Sequence, residues 1–177
     1  MKDLKKMKSP ETPEELLAEH KLLRSDPETY LQIQSDRLRE NPRNAEAYFA
    51  RHYGWMEVGE PQRALEDLDK SIEIEPKQIA WLYRGHVHRH LGEYQNALDD
   101  FQHGESIDPE QWDDIWGPLY QADCHARLGN EKKSLEYWAR LPEDFWDPGV
   151  YDVPAGNKTE IAEGLRRLAA IARQMRR

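Results

Sequence analysis

Only one cysteine, Cys124, stands among the 177 residues. That excludes an intrachain disulfide framework and fits a reducing compartment. No stretch approaches the roughly 20 consecutive apolar residues of a membrane span. The N-terminus, MKDLKKMKSPETPEE, carries the charge of a secretory leader without an apolar run behind it, so the expected location is cytoplasmic. Also missing are a glycine-rich phosphate loop, H-E-x-x-H, C-x-x-C and a nucleophile elbow. Excess basic charge is absent too. The net charge of −9 argues against generic phosphate-backbone binding and an RNA-binding repeat, and leaves open a basic or mixed-charge protein partner.

Aromatic side chains, in contrast, are plentiful. Six Trp, eight Tyr and three Phe are too many for a disordered acidic segment. Apolar content is 38%, charged content 33% and mean hydropathy −0.99. A thin helical protein with much surface for its core would have this balance. The length suits one domain.

The chain repeats itself. When 47–76 is set over 81–109, Gly59 meets Gly92, Ala64 meets Ala97, Leu65 meets Leu98 and Pro76 meets Pro109, each 33 residues apart. In each unit an apolar-periodic helix ends at a Gly suited to a left-handed C-terminal position. A short turn follows, G-E-P-Q or G-E-Y-Q, and a second helix stops before a proline. Ala64 and Ala97 are small, as close antiparallel helices require. A hairpin of this kind cannot bury its own apolar face, so neighbours must stack. A third unit at 119–138 carries Ala122, His125, Gly129, Ser134 and Trp138. Its Gly lies 37 residues after Gly92, so about four residues are inserted near 110–118.

These marks resemble the tetratricopeptide repeat (TPR) family. Its pattern stands here as Trp81, Gly85, His88, Gly92, Ala97, Phe101 and Pro109, and earlier as Tyr48, His52, Trp55, Gly59, Ala64, Leu68 and Pro76. His52 departs from the usual small residue, and Arg51 and Arg84 occupy the apolar position before it. The resemblance implies an all-α superhelical solenoid of stacked antiparallel helical hairpins with a C-terminal capping helix. The expected units are a disordered tail 1–11, a degenerate hairpin 12–42, hairpins 45–76, 78–109 and 115–141, a connection 142–157 and a capping helix 158–177.

Local chemistry supports the flanks. Thr12-Pro13-Glu14-Glu15 and Asn157-Lys158-Thr159-Glu160 read as capping boxes. Ile161, Leu165, Leu168, Ala172 and Met175 form one apolar stripe. Residues 142–157 read as irregular. Phe145 and Trp146 within them are expected to dock, preferably sealing the last hairpin, with docking in the groove as a self-ligand or anchoring of a partner as the alternatives. The carboxylate runs Glu66-Asp67, Asp99-Asp100 and Asp113-Asp114 are expected to lie on a solvated face.

Function is expected to be non-catalytic protein binding, as an adaptor, assembly factor or inhibitory partner. In TPR arrays the first helix of each hairpin lines a concave surface that takes peptides or helices. The resemblance places Glu46, Phe49, Ala50, Tyr53, Met56 and Glu57 there from one helix. The next contributes Ile79, Leu82, Tyr83, His86, Arg89 and His90, and a third contributes Trp116, Leu119, Tyr120, Asp123 and Arg127. Aromatic anchors suit such a groove. Arg89, Arg127 and the histidines would orient the ligand, and the histidines could make binding sensitive to pH. The Lys, Asn and Arg clamp with which some TPR domains hold chaperone C-termini has no match in Phe49, Tyr53, Tyr83, Trp116 and Tyr120, nor in Glu15 and Glu19 one unit earlier. No cofactor or nucleic acid is implied.

A rival reading starts from R-G-H-V-H-R-H-L at 84–91. On a helix His86 and His90 share a face while His88 points elsewhere. The pair has a spacing that can bind zinc or copper, with His52 or Asp123 as a further ligand and hydrolysis as a possible activity. Cys124 beside His125 does not make a catalytic pair, because consecutive helical residues do not face each other.

Overall fold

The computed structural model describes residues 12–109, 112, 116–147 and 156–176. The tail 1–11, Asp113-Asp114 and residues 148–155 of the 142–157 connection lie outside these. Its helices are α1 Pro13–Ser25, α2 Pro27–Glu40, α3 Ala45–Glu57, α4 Pro61–Ile74, α5 Gln78–His90, α6 Tyr94–Ile107, α7 Trp116–Arg127, α8 Glu131–Trp138 and α9 Lys158–Met175. The architecture is all-α, built of antiparallel helical hairpins of the TPR type, as the repeat predicts. Two compact units divide within α5, Met1–Val87 and His88–Arg177.

The punctuation predicted from sequence is in place. Gly59, Gly92 and Gly129 follow first helices at φ +76°, +79° and +78°, a region where a side chain would be strained. At each, the Gly N–H donates three residues back and the next N–H five residues back: Glu60 to Trp55 at 2.8 Å, Glu93 to His88 at 2.9 Å and Asn130 to His125 at 2.8 Å. The left-handed residue thereby satisfies carbonyls that the helix end would leave orphaned. Thr12 and Glu15 form a reciprocal capping box on α1, and Asn157 and Glu160 form another on α9.

In the first unit, α2 packs on α1 and α3, and α3 on α4. Gly54 lets α3 approach α2, since a Cβ there would meet Leu31 Cδ2 at 2.6 Å. The Tyr30 hydroxyl donates to the Ala50 carbonyl at 3.1 Å, and the Ser71 hydroxyl to that of Ala45 at 3.0 Å. Glu19 and Arg37 form a buried ion pair between α1 and α2. Ala64 and Leu68 of α4 are fully buried.

In the second unit, α7 is buried from Gly117 through Ala126 because α6, α8 and α9 all pack on it. Leu119, Ala122, Ala126, Trp138, Leu141, Ile161, Leu165 and Ala169 form one core. Helix α9 covers the α7–α8 hairpin. Trp138 Nε1 donates to the Lys158 carbonyl at 3.0 Å, and Lys158 Nζ to that of Leu141 at 2.8 Å.

Some expectations are corrected. Asp67 and Asp100 are buried, not solvated, while their neighbours Glu66 and Asp99 are exposed. The i+1 position on a helix turns about 100°, so only one carboxylate of each run faces its own hairpin. Phe145 does pack edge-on against Trp138, with centroids 5.6 Å apart, but Trp146 remains 63% exposed. Trp146–Asp147 (β1) pairs antiparallel with Gly156–Asn157 (β2), so that part of the connection is regular. On α9 the buried face runs through Ala169, and Met175 is 84% exposed because the helix outruns the hairpin beneath it.

Candidate functional site

Four rings of the first unit gather between α3 and α5. Phe49, Tyr53 and Tyr83 surround His52. Ring centroids are 5.8 Å apart for Phe49–Tyr53, 5.5 Å for Phe49–Tyr83 and 5.2 Å for Tyr53–Tyr83. The interplanar angles of 85°, 82° and 73° make every contact edge-to-face, the arrangement favoured by the ring quadrupoles. His52 lies tilted against Tyr53, with centroids 3.9 Å apart, and is buried, whereas the three outer rings are half-buried. Its Nδ1 donates to the Phe49 carbonyl, which fixes the tautomer. Burial holds the His52 imidazole down to about 3, against the Phe49 hydrogen bond. The centre of the cluster is therefore neutral at physiological pH.

The spacing explains the placement. Phe49, His52, Tyr53 and Met56 lie at i, i+3, i+4 and i+7 on α3, one helical face. Met56 and His86 are half-buried. Glu46 and Glu57 flank the same stripe and are exposed.

A buried network braces the other side of α3. Arg51 donates to both oxygens of Asp67, at 2.8 and 2.7 Å, and Trp55 Nε1 donates to Asp67 at 2.8 Å. Arg51 also reaches Ser35 at 3.1 Å. The arginine at an apolar TPR position is thus compensated on α4. Arg84 of α5 donates to Asp69 of α4 at 2.7 Å, and there the acid is exposed.

The repeat carries this position into the second unit with changed chemistry. Trp55–Asp67 corresponds to His88–Asp100, whose Nε2–Oδ2 distance is 3.8 Å. His88 Nδ1 contacts Glu93 at 2.6 Å, and this hydrogen bond holds the Glu93 carboxyl below its usual range. In the last hairpin the pair is His125 and Tyr137, stacked at 5.4 Å. Burial brings His125 down to about 4.

The second unit has its own cluster on α7. Trp116 stacks on Tyr120 at 5.8 Å, and Phe101 stacks on Tyr120 at 6.0 Å. Arg89 lies 5.2 Å from the Tyr120 ring centroid and donates to Asp123 at 2.7 Å. Arg127 donates to Asp123 at 2.9 Å and reaches the Tyr94 hydroxyl at 3.3 Å. Arg89, Tyr120 and Asp123 are buried. Trp116 and His90 are exposed, and Arg127 is half-buried. Burial pushes the Asp123 carboxyl up, and the two guanidiniums oppose it.

Sequence reasoning did not foresee His52 at the centre of a ring cluster, or Asp67 and Tyr94 as partners of Arg51 and Arg127. An arginine at an apolar position on a first helix was the available signal. For Arg51 it calls for an acidic partner, which Asp67 supplies from the other helix of the hairpin.

Among the described residues no three His, Cys, Asp or Glu side chains gather to hold a metal, so the His86–His90 reading gains no third ligand there. Burial raises the Cys124 thiol, which disfavours a nucleophilic role. No helix among the described residues is long and apolar enough to cross a membrane. A cleft of about 640 Å³ over Asn130, Lys132, Lys133 and Arg173 in the second unit contains no aromatic side chain.

Its fold is similar to that of MamA. One crystal structure of MamA matches with a TM-score of 0.65 at 18% identity, over 88% of this chain and 89% of that one. A second matches with 0.65 at 16% identity over 98% and 90%. The MamA RS-1 ArsTM double mutant matches with 0.66 at 16% identity, over 90% and 88%. The likeness is one of fold, and MamA is TPR-like. No protein-family model and no curated protein matches the chain.

Proposed function

We propose that this chain is a non-catalytic protein-interaction module that captures a peptide or helix of a partner on the faces of its first helices. The observation that carries the reading is the ring cluster on α3 and α5. Three half-exposed aromatic rings are held edge-to-face around a neutral, buried histidine. Rigid aromatic anchors offer large contact area at small entropy cost and dominate binding surfaces of this kind. Phe49, Tyr53, Met56, Tyr83 and His86 form the anchor set of the first unit. In the second unit Trp116, Arg127 and His90 are the accessible members, and Arg89, Tyr120 and Asp123 hold the α7 face in shape. The likeness to MamA, a TPR-like protein-interaction protein, supports the same class.

The test is affinity capture from a cell extract with wild type and with Tyr53→Ala, Tyr83→Ala, each checked for helicity by circular dichroism. Captured partner should slow amide exchange in α3 and α5. A partner that the doubly substituted chain retains at full yield, with exchange unchanged in both helices, would overturn the proposal.

A further inference from the structure

The ring cluster lies in a stripe with carboxylates at both ends. Along α3, Glu46, Phe49, Tyr53 and Glu57 stand at successive spacings of 3, 4 and 4 residues, so each side chain neighbours the next on one face. Glu46 and Glu57 are exposed, the two rings between them are half-buried, and Tyr83 of α5 closes the side. The geometry points to a cationic occupant: we infer that this face of α3 takes an arginine- or lysine-bearing segment of a protein partner, with the cation against the rings and between Glu46 and Glu57. The inference rests on the proposed function and specifies the chemistry of its partner.

Three observations carry it. First, Phe49, Tyr53 and Tyr83 are held at steep angles to one another, so ring faces point in several directions at one place. An aromatic face attracts a cation through its quadrupole. Second, His52 at the centre of the rings is kept neutral by burial, so it does not repel an incoming cation. Third, the acidic residues at each end supply charge complementarity, which steers association and rejects acidic segments. The Arg51 guanidinium, the nearest fixed cation on α3, is turned away into Asp67.

A guanidinium suits the site better than an ammonium, because its plane stacks on a ring while its edge donates to a carboxylate. The same chain uses that geometry internally. Arg84 lies 4.5 Å from the Trp81 ring centroid while donating to Asp69, and Arg51 lies 5.9 Å from Trp55 while donating to Asp67.

A random 12-residue peptide library displayed on phage, selected on the full chain and counter-selected on the Tyr53→Ala, Tyr83→Ala chain, tests this. The expected result is enrichment of peptides carrying Arg or Lys beside an apolar anchor. One enriched peptide, labelled and titrated by fluorescence anisotropy, should bind about tenfold more weakly when its cation is replaced by Gln. Glu46→Gln with Glu57→Gln should cost about three- to fivefold at low salt and nearly nothing at high salt. Enrichment of neutral apolar peptides that depend on the rings would overturn the cation and leave the interaction face standing. Enrichment of acidic peptides would do the same. No ring-dependent enrichment at all would overturn both.

Discussion

Arg51 of α3 meets Asp67 of α4 side-on, Nε and Nη2 donating at 2.8 and 2.7 Å to the two oxygens of one carboxylate. The Asp67 side chain is 5% exposed and that of Arg51 20%. Bidentate pairing is the arrangement in which a guanidinium recovers most of what burial costs. The pair joins the two helices of one hairpin and fixes the side of α3 opposite the ring cluster.

Removing one partner should therefore hurt more than removing both. Asp67→Ala leaves Arg51 and Trp55 without their shared acceptor and should cost about 2–4 kcal/mol in urea denaturation. Arg51→Met with Asp67→Leu should recover at least half of that loss. Equal losses in the two would show that the pair acts only by packing.

The apolar stripe read along α9 separates into members that hold the fold and members that do not. Leu165 is fully buried and Met175 is 84% exposed. Leu165→Ala should destabilise by about 2–4 kcal/mol, and Met175→Ala should stay within about 0.5 kcal/mol. Thermal unfolding of the two variants checks both.

Two glycines of α3 and its turn should respond differently to alanine. Gly59 has open space around it and φ +76°, so Gly59→Ala meets only backbone strain of about 1–2 kcal/mol. At Gly54 a Cβ would lie 2.6 Å from Leu31 Cδ2 and 2.7 Å from its Cγ. Gly54→Ala must push α2 and α3 apart, costing about 1–3 kcal/mol, and should raise amide exchange across α2, which Gly59→Ala should leave slow.

Acid should weaken the first unit through His52. Its folded-state value of about 3 lies below the unfolded value of about 6.5. Below pH ~6.5 the unfolded chain binds the extra proton, so stability is present above that pH and lost as pH falls toward 3. The loss is up to about 1.4 kcal/mol per pH unit for this one group. His125, brought down to about 4, adds a smaller loss of the same sign in the second unit. Urea midpoints at pH 7, 6 and 5 should fall in order, and His52→Phe should flatten the slope if the ring is accommodated. An unchanged slope in a folded His52→Phe chain would rule His52 out as the titrating group.

Much of the architecture was legible along the chain because it depends on near neighbours. Gly59, Gly92 and Gly129 announce left-handed helix ends, and all three adopt them. Thr12 with Glu15, and Asn157 with Glu160, announce caps that span three residues and form as read. The 33-residue period places Ala64 and Ala97 at helix approaches, and both are fully buried. The rings at Phe49, Tyr53 and Tyr83 were readable as one side of the first helices, but not their mutual angles. Those depend on the approach of α3 to α5.

The sequence by itself determined the repeat, its punctuation and the side of each first helix that carries aromatic side chains. Glycine conformation, capping and helical period act within about five residues of chain. The tertiary structure alone decided which charges are buried. Glu66 and Asp67 are adjacent and chemically alike, yet only Asp67 is enclosed, because Arg51, 16 residues earlier, arrives on its side. Asp123 is enclosed between Arg89, 34 residues earlier, and Arg127. A buried charge needs a partner fixed in place by packing. Arg127, four residues from Asp123 on the same helix, is a partner the chain records locally, whereas Asp67 and Arg51, like Asp123 and Arg89, meet only through the packing of separate helices.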